Sequence, residues 1–330
     1  MSIIGPSSIT RYRWQSFQIQ ANASVLQCGK LIDGDIGFIW NIYQDTQLMP
    51  DIRSSSVDPK IFRVLPYTFD ANSVYTIQVT VYLLSDKKLS SKASITVNMG
   101  ISGILSSIDG GKEWTSSSAA PLALNASNSY DIDYPESGSL LSFNWDCIQF
   151  SPSYGSSCPS SAVPLVTGPS LVVPADTLPP KISYQFTVTV KNQYQATSTS
   201  SVIISVITGL FPTATIETPL KKFNTKSRVI IDSVVTVPIF QTCTAYWSTI
   251  DLSPTALSEN CISLLEKSFQ QDTINTFQLA LKPETLSPGR TFTFKLTLSN
   301  SEIETVSSVQ IMMNSPPYGG TQILYHLIVH

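Results

Sequence analysis

Three short segments, each with one tryptophan, recur along this 330-residue chain at intervals of about one small β-domain. Trp40, Trp145 and Trp247 stand 105 and 102 residues apart, in the segments GFIWNIYQ, LSFNWDCIQF and TAYWSTID. A large indole in the middle of a strand-like segment is typical of a core position between two packed sheets. The repeat predicts three tandem modules with Trp40, Trp145 and Trp247 in their cores.

A second pattern follows each tryptophan. The runs YTIQVTV, YQFTVTV and FTFKLTL begin at Tyr75, Tyr184 and Phe292 and alternate apolar with polar residues. Because the side-chain period of a strand is two, one face of each run points inward. A polar turn and a closing strand come next, which predicts a hairpin. The predicted fold is all-β, with three tandem immunoglobulin-like β-sandwiches of the fibronectin-III-like kind. The inward positions are Tyr75, Ile77, Val79, Val81, Tyr184, Phe186, Val188, Val190, Phe292, Phe294, Leu296 and Leu298.

These repeats divide the chain into residues 1–100, 101–209 and 210–315, with 316–330 as a truncated linker or tail. Hydrophobic residues make up 42% of the chain, which is enough for real cores, whereas charged residues make up only 13%. That charged share is about half of the usual one. The surface is therefore expected to be polar but uncharged, rich in Ser, Thr, Asn and Gln.

Charge and hydropathy limit the possible partners. The 20 basic and 23 acidic residues are scattered and give a net charge of -3, so no basic stripe is available for nucleic acid. No run approaches the roughly 20 apolar residues that span a bilayer. Residues 1–20 contain Arg11 and Arg13 and no apolar signal core. We therefore expect a fragment of a longer product, whose secretion signal lies outside this sequence.

Two motifs resemble a known family. Residues 121–158 read PLALNASNSYDIDYPESGSLLSFNWDCIQFSPSYGSSC, and residues 312–320 read MMNSPPYGG. The Tyr-Asp-x-Asp element before a Trp-x-Cys strand, and the Asn-x-Pro-Pro-x-Gly-Gly linker, resemble the polycystic-kidney-disease repeat and the receptor-for-egg-jelly module. Those modules occur in polycystins, sperm receptors and ciliate surface proteins. The first repeat departs from the pattern, since it has only Asn22-Ala23-Ser24 in place of the acidic element.

The resemblance implies non-enzymatic modules on the outer face of a cell, in a parent protein anchored to a membrane outside this sequence. It implies adhesion, recognition or mechanical roles, with protein or glycan ligands and without a cofactor. A ciliate origin would fit the Ser, Asn, Gln and Ile content.

Five cysteines occur, and four of them form close pairs in the sequence. We predict disulfides between Cys147 and Cys158 and between Cys243 and Cys261, each closing a short loop. Cys28 has no evident partner in its own repeat, which leaves a buried thiol or a bond to a segment outside this sequence. No C-x-x-C pair and no nearby histidine supplies zinc spacing.

Other polar motifs are weaker. Asn22 and Asn125 begin N-x-S sequons and are candidate glycosylation sites. Asp131, Asp133 and Glu136 could offer oxygens to calcium, but a calcium cage needs about six or more of them. A turn in which the Asp side chains accept backbone hydrogen bonds is the favoured interpretation. Asp33 and Asp35 form a similar pair.

Catalytic signatures are scarce in this sequence. The only histidines are His326 and His330, in the tail, and no G-x-S-x-G, H-E-x-x-H or G-x-G-x-x-G motif occurs. Carboxylate pairs need only spatial proximity, so the sequence leaves that chemistry open. The predicted function is an interaction ectodomain. The alternatives are a spacer stalk, or a carbohydrate-binding module whose Tyr130, Tyr134 and Tyr154 stack on sugars.

Overall fold

The computed structural model describes residues 2–315 except 28–29, 33–35, 137–140, 164–166, 218–221, 240, 271–272 and 301–302. Cys28, Asp33, Asp35 and the tail from 316 onward therefore lie outside the described residues. Of the described residues, 52% lie in strands and 2% in a helix, so this part of the chain is nearly all β, as the alternating runs predict. The described chain forms two compact units, residues 2–104 with 130–136 and residues 105–129 with 141–315. The repeat boundaries stay a prediction.

Among the described residues, ten strands precede the second unit and an eleventh, β11, crosses from the first unit into it. They are β1 (Ser2–Ile3), β2 (Ser8–Tyr12), β3 (Phe17–Asn22), β4 (Val25–Gln27), β5 (Lys30–Ile32), β6 (Ile36–Gln44), β7 (Gln47–Leu48), β8 (Ile61–Val64), β9 (Val74–Leu83), β10 (Ser90–Gly100) and β11 (Ile104–Leu105).

Two sheets make the first unit a sandwich. One has the order β1-β3-β8 and the other β2-β10-β9-β6-β7, with β9 and β10 forming the predicted hairpin. The alternation of β9 buries Tyr75, Ile77 and Val79 completely, because these residues face the opposite sheet. Trp40 on β6 is half-buried and packs on Phe62 with ring centroids 5.5 Å apart. The first tryptophan thus lies at the side of its core.

The remaining elements follow in chain order, and of these only β14 belongs to the first unit. They are β12 (Glu113–Ser117), β13 (Leu122–Asn125), β14 (Tyr130–Asp131), β15 (Ser142–Ser151), β16 (Ser170–Val173), β17 (Ile182–Lys191), β18 (Thr197–Ile207), β19 (Thr213–Ile216), β20 (Val229–Ile231), β21 (Ser233–Val237), β22 (Cys243–Thr249), α1 (Pro254–Asn260), β23 (Glu266–Phe269), β24 (Thr273–Thr276), β25 (Leu279–Leu281), β26 (Thr291–Ser299) and β27 (Glu304–Met312).

One eight-stranded sheet runs through the second unit, in the order β15-β17-β18-β12-β27-β26-β22-β23. Its strands come from both the second and the third repeat, and β12 joins the two halves. Three smaller sheets, β13-β16, β19-β21-β24 and β20-β25, complete the unit. The hairpins β17-β18 and β26-β27 lie where the alternating runs predict them.

Both cores of the second unit lie on the same side of this long sheet. Trp114 on β12 is in register with Ile204 of β18 and with Ser307 of β27, and in-register partners point to the same face. Trp145 and Trp247, from the second and third repeats, are 5% and 3% exposed. The two sandwiches therefore share a layer, which the sequence repeats do not reveal.

Candidate binding loop

The loop between Cys147 and Cys158 lies at the edge of the eight-stranded sheet, where β15 has a neighbour on one side only. The predicted disulfide is formed, with the two Cα atoms 5.8 Å apart. The Gln149 amide donates to Ser156 O at 2.7 Å, and the Gly155 amide donates to Gln149 O at 2.9 Å. Covalent and backbone bonds together hold this loop in one shape.

The tip of the loop presents two aromatic rings to solvent. Phe150 is 39% and Tyr154 70% exposed, and their rings meet edge to face at 5.9 Å. Residues 147–158 contain no charged side chain and are rich in serine. Rigid loops of Tyr, Ser and Gly are typical binding surfaces, because aromatic rings supply contact area at a low entropy cost. The loop is therefore the candidate recognition site.

The second predicted disulfide, between Cys243 and Cys261, is not formed, and both residues are free thiols. Cys243 points from β22 into the core of the third repeat. Cys261 follows α1 and pairs as an isolated bridge with Leu281, and its Sγ lies 3.2 Å from Ser263 O. The short helix between the two cysteines directs them to different neighbours, which the sequence spacing alone does not show.

Removing the Cys147–Cys158 bond should destabilise the second unit. The double variant Cys147→Ser/Cys158→Ser is expected to lose about 2 to 3 kcal/mol, because a closed loop of this size restricts the unfolded chain. Urea unfolding measures the loss. Cys261→Ser, which removes a free and partly buried thiol, is the control. An equal loss in both variants would contradict the assignment.

The two free thiols, Cys243 and Cys261, should differ in reactivity. Burial raises the pKa of the Cys243 thiol, so it stays protonated and is shielded from alkylation in the folded state. Cys261 is only partly buried and should be alkylated first.

Of the three tyrosines predicted to be exposed, only Tyr154 is. Tyr130 and Tyr134 are half-buried. The Tyr134 ring is covered by the Arg13 guanidinium, whose carbon lies 4.1 Å from the ring centroid, and the Tyr134 hydroxyl accepts from the Ala71 amide. The exposure that the carbohydrate-binding alternative assumed for these two rings is therefore not found, because cation–π packing within the first unit covers Tyr134 and Tyr130 is half-buried.

The Tyr-Asp-x-Asp element is a structural turn, as the favoured interpretation of the sequence predicted. Asp131 Oδ1 accepts from the Asp133 amide at 2.9 Å. Asp133 is 1% exposed, and its two carboxylate oxygens accept from the amide and hydroxyl of Ser102 at 2.6 and 2.7 Å. Arg13 donates to the main-chain oxygen of Asp133 at 2.5 Å. These bonds hold residues 130–136 in the first unit.

The two sequons differ in structure. Asn22 ends β3 and is exposed. The Asn125 amide nitrogen donates to Asp109 Oδ2 at 2.8 Å and to Ser127 Oγ at 2.9 Å. Its oxygen accepts from the Ser127 amide and the Ser170 hydroxyl. All four hydrogen-bonding positions of the Asn125 amide are therefore used.

A glycan on Asn125 would break at least one of these bonds, since N-glycosylation removes a hydrogen from the amide nitrogen. We expect folded protein from a secretory host to carry a glycan at Asn22 and none at Asn125. Site-resolved mass spectrometry measures both occupancies. Asn22→Gln should abolish the glycan mass shift, and a glycan found on Asn125 in folded material would refute the expectation.

Metal-binding clusters and membrane-spanning helices are both absent from the residues that the structure describes. No three His, Cys, Asp or Glu side chains there lie close enough together to hold a metal ion. The one described helix, α1, has seven residues, and no described helix has the length and apolarity to cross a bilayer.

A disulfide-locked loop on an all-β sandwich is typical of secreted and cell-surface modules, because such bonds persist in oxidising compartments. The comparison with protein families agrees with this class, since the REJ domain model matches residues 6–324. The chain belongs to the REJ domain family. No curated protein is a significant match to the sequence.

Several solved structures of multi-domain proteins align with most of this chain. Extracellular domains 3–5 of Drosophila OTK share 11% identity, with 94% of this chain and 95% of that chain covered and a TM-score of 0.29. Immunoglobulin domains 1–5 of Sidekick-1 share 10% identity, with 95% and 59% covered and a TM-score of 0.26. The human desmocollin-1 ectodomain shares 11% identity, with 95% and 58% covered and a TM-score of 0.26.

Proposed function

We propose that the chain is a non-enzymatic recognition ectodomain of a membrane-associated surface protein, and that the loop 147–158 makes the primary contact. The observation that carries the proposal is the exposed pair Phe150 and Tyr154, held at the tip of a loop that a disulfide closes. Family membership supports the extracellular setting, and the disulfide supports an oxidising compartment.

The chemistry of the loop indicates the kind of contact. Burying the exposed tyrosine and phenylalanine against a partner contributes apolar contact. Because the loop has no charged side chain, no charge of its own would have to be desolvated at the centre of the interface. The loop is already ordered, so binding loses little conformational entropy. Affinity would then depend strongly on Tyr154, the more exposed of the two rings.

A binding assay with beads tests the proposal. Beads coated with the whole chain should adhere to each other or to cells of the source organism, and Tyr154→Ser should reduce adhesion about tenfold, as expected for the loss of one aromatic contact residue. Tyr12→Ser is the matched control, because Tyr12 is also exposed but lies on β2 of the first unit. Equal adhesion of the two variants would exclude the loop, and no adhesion at all would favour a spacer without a ligand.

Carbohydrate binding is the second candidate, and it is favoured by one observation. The rings of Phe150 and Tyr154 are flanked by the exposed hydroxyl residues Ser151, Ser153 and Ser156, a combination that suits the apolar faces and hydroxyls of sugars. A glycan array probed with the whole chain should then give signals that Tyr154→Ser removes. If no glycan on the array is bound but the beads still adhere, the function is recognition of a protein ligand.

A further inference from the structure

Strand β12 belongs to both sandwiches of the second unit. It pairs in parallel with β18 over five residues, from Glu113 opposite Ile203 to Ser117 opposite Ile207. On its other side it pairs antiparallel with β27, where Glu113 and Trp114 face Ser308 and Ser307. A single strand therefore pairs with the backbone of an edge strand in one repeat and of an edge strand in the next.

Further hydrogen bonds join β12 and the residue before it to β18 and β27. The Lys112 amide donates to Ser308 O at 2.6 Å, and Lys112 O accepts from the Ile203 amide at 3.0 Å. The Val306 amide donates to Thr115 Oγ1 at 3.2 Å. Lys112 thus bonds to both the second and the third repeat, and Thr115 adds a second bond to the third.

Within the third repeat, β27 is hydrogen-bonded to the segment that contains β19. Ser307, 1% exposed, donates its hydroxyl to Ala214 O at 2.5 Å, and Thr305, 2% exposed, donates to Pro212 O at 2.8 Å. Gly110, just before β12, forms a bridge with Ile216 of β19. The segment that begins β12 therefore contacts both layers of the third sandwich.

Ordinary tandem sandwiches each keep their own sheet edges, so one can open while its neighbour stays folded. Here the unfolding of either repeat removes one of the two strands, β18 or β27, that hold β12 and Trp114 in place. The other repeat then loses backbone hydrogen bonds and apolar contacts as well. The backbone groups of β12 would lose their ladder on that side, and unpaired backbone groups are costly.

We propose that the second unit, residues 105–129 with 141–315, folds and unfolds as one cooperative body, in which β12 is the shared strand, and that the second and third repeats have no independent stability. A change at the loop 147–158 in the second repeat is then transmitted to the third repeat through the common sheet. The inference concerns cooperativity and does not depend on the proposed ligand.

Hydrogen exchange of the whole chain, measured by mass spectrometry on variants, tests the proposal. Leu279→Ala removes a fully buried side chain from β25 in the third repeat, which belongs to the small β20-β25 sheet and not to the sheet that contains β15 and β17. We expect the slowest amides of β26 to exchange about 30-fold faster or more. The slowest amides of β17, in the second repeat, should accelerate by the same factor.

The matched control is Ile77→Ala, which removes a fully buried side chain from β9 in the first unit. It should accelerate β9 amides and leave β17 and β26 unchanged. If Leu279→Ala does not fold, Ile231→Val in β20 gives the same comparison with an expected acceleration of about 2- to 10-fold. Wild-type exchange rates in β17, in a variant whose β26 amides are accelerated, would overturn the proposal.

Discussion

Gly111→Ala is expected to lower the free energy of unfolding of the second unit by about 3 kcal/mol or more, one of the largest effects of any single methyl group in this chain. Gly111 has a φ of +97°, which L side chains rarely adopt, and a Cβ there would lie 2.2 Å from Ser308 O. That oxygen accepts from the Lys112 amide and belongs to the junction between β12 and β27. The clash therefore pushes apart the two strands that join the repeats. Calorimetry of the whole chain should show the melting temperature of the second unit falling while that of the first is unchanged.

Gly209→Ala is a close control for this prediction. Gly209 also has a positive φ, +92°, but nothing lies within 4 Å of its Cβ position. The variant carries the backbone strain without the clash, and about 1 kcal/mol is expected. Equal losses for the two variants would mean that backbone strain alone, and not the junction, determines the effect at Gly111.

Trp145→Ala is expected to destabilise the second unit by about 3 to 5 kcal/mol. Trp145 is 5% exposed, lies on β15 opposite Val188, and donates its indole N–H to Gly168 O at 3.2 Å. The substitution leaves a large cavity and an unpaired carbonyl. Urea unfolding followed by the circular dichroism of the strands measures the loss.

Trp14→Ala controls for the removal of an indole as such. Trp14 is 46% exposed, and its indole N–H donates to Ser102 Oγ at 3.1 Å. We expect a loss below about 1 kcal/mol, because little apolar surface returns to water. A Trp145 variant that melts like the parent protein would exclude the core position of this residue.

The sequence predicted the strands that carry strong periodicity. The alternating runs from Tyr184 and Phe292 identify β17 and β26, since a buried face with period two is a local property. The tryptophan segments identify β6, β15 and β22 for the same reason. The disulfide at Cys147 and Cys158 also follows from local spacing, because both ends belong to one loop.

The shared sheet could not be predicted in this way. Strand β12, with the sequence EWTSS, is short and has one large apolar residue, so its periodicity is weak. Its two neighbours are about 90 and 190 residues distant along the chain, and pairing over such distances leaves no local pattern. Trp114 was a weak signal, since it is one of two tryptophans outside the three-fold repeat and the other, Trp14, is exposed.

The candidate site was only partly visible in the sequence. Tyr154 is recognisable in a loop of Ser, Pro and Gly, but nothing local distinguishes it from Tyr134. That residue is covered by Arg13, 121 positions earlier in the chain. Likewise, the spacing of Cys243 and Cys261 does not reveal that α1 separates their side chains. These outcomes depend on tertiary contacts.

Disulfide trapping on both sides of β12 tests the central claim most directly, since cross-strand partners are close enough to be bridged only if they are neighbours. In a background without the free thiols, Glu113→Cys/Ser308→Cys and Glu113→Cys/Ile203→Cys should each form a bond under mild oxidation. Ser117→Cys/Ser308→Cys, displaced along the strand, should not. A bond on one side of β12 only would show that the two repeats have separate sheets, and would contradict the account.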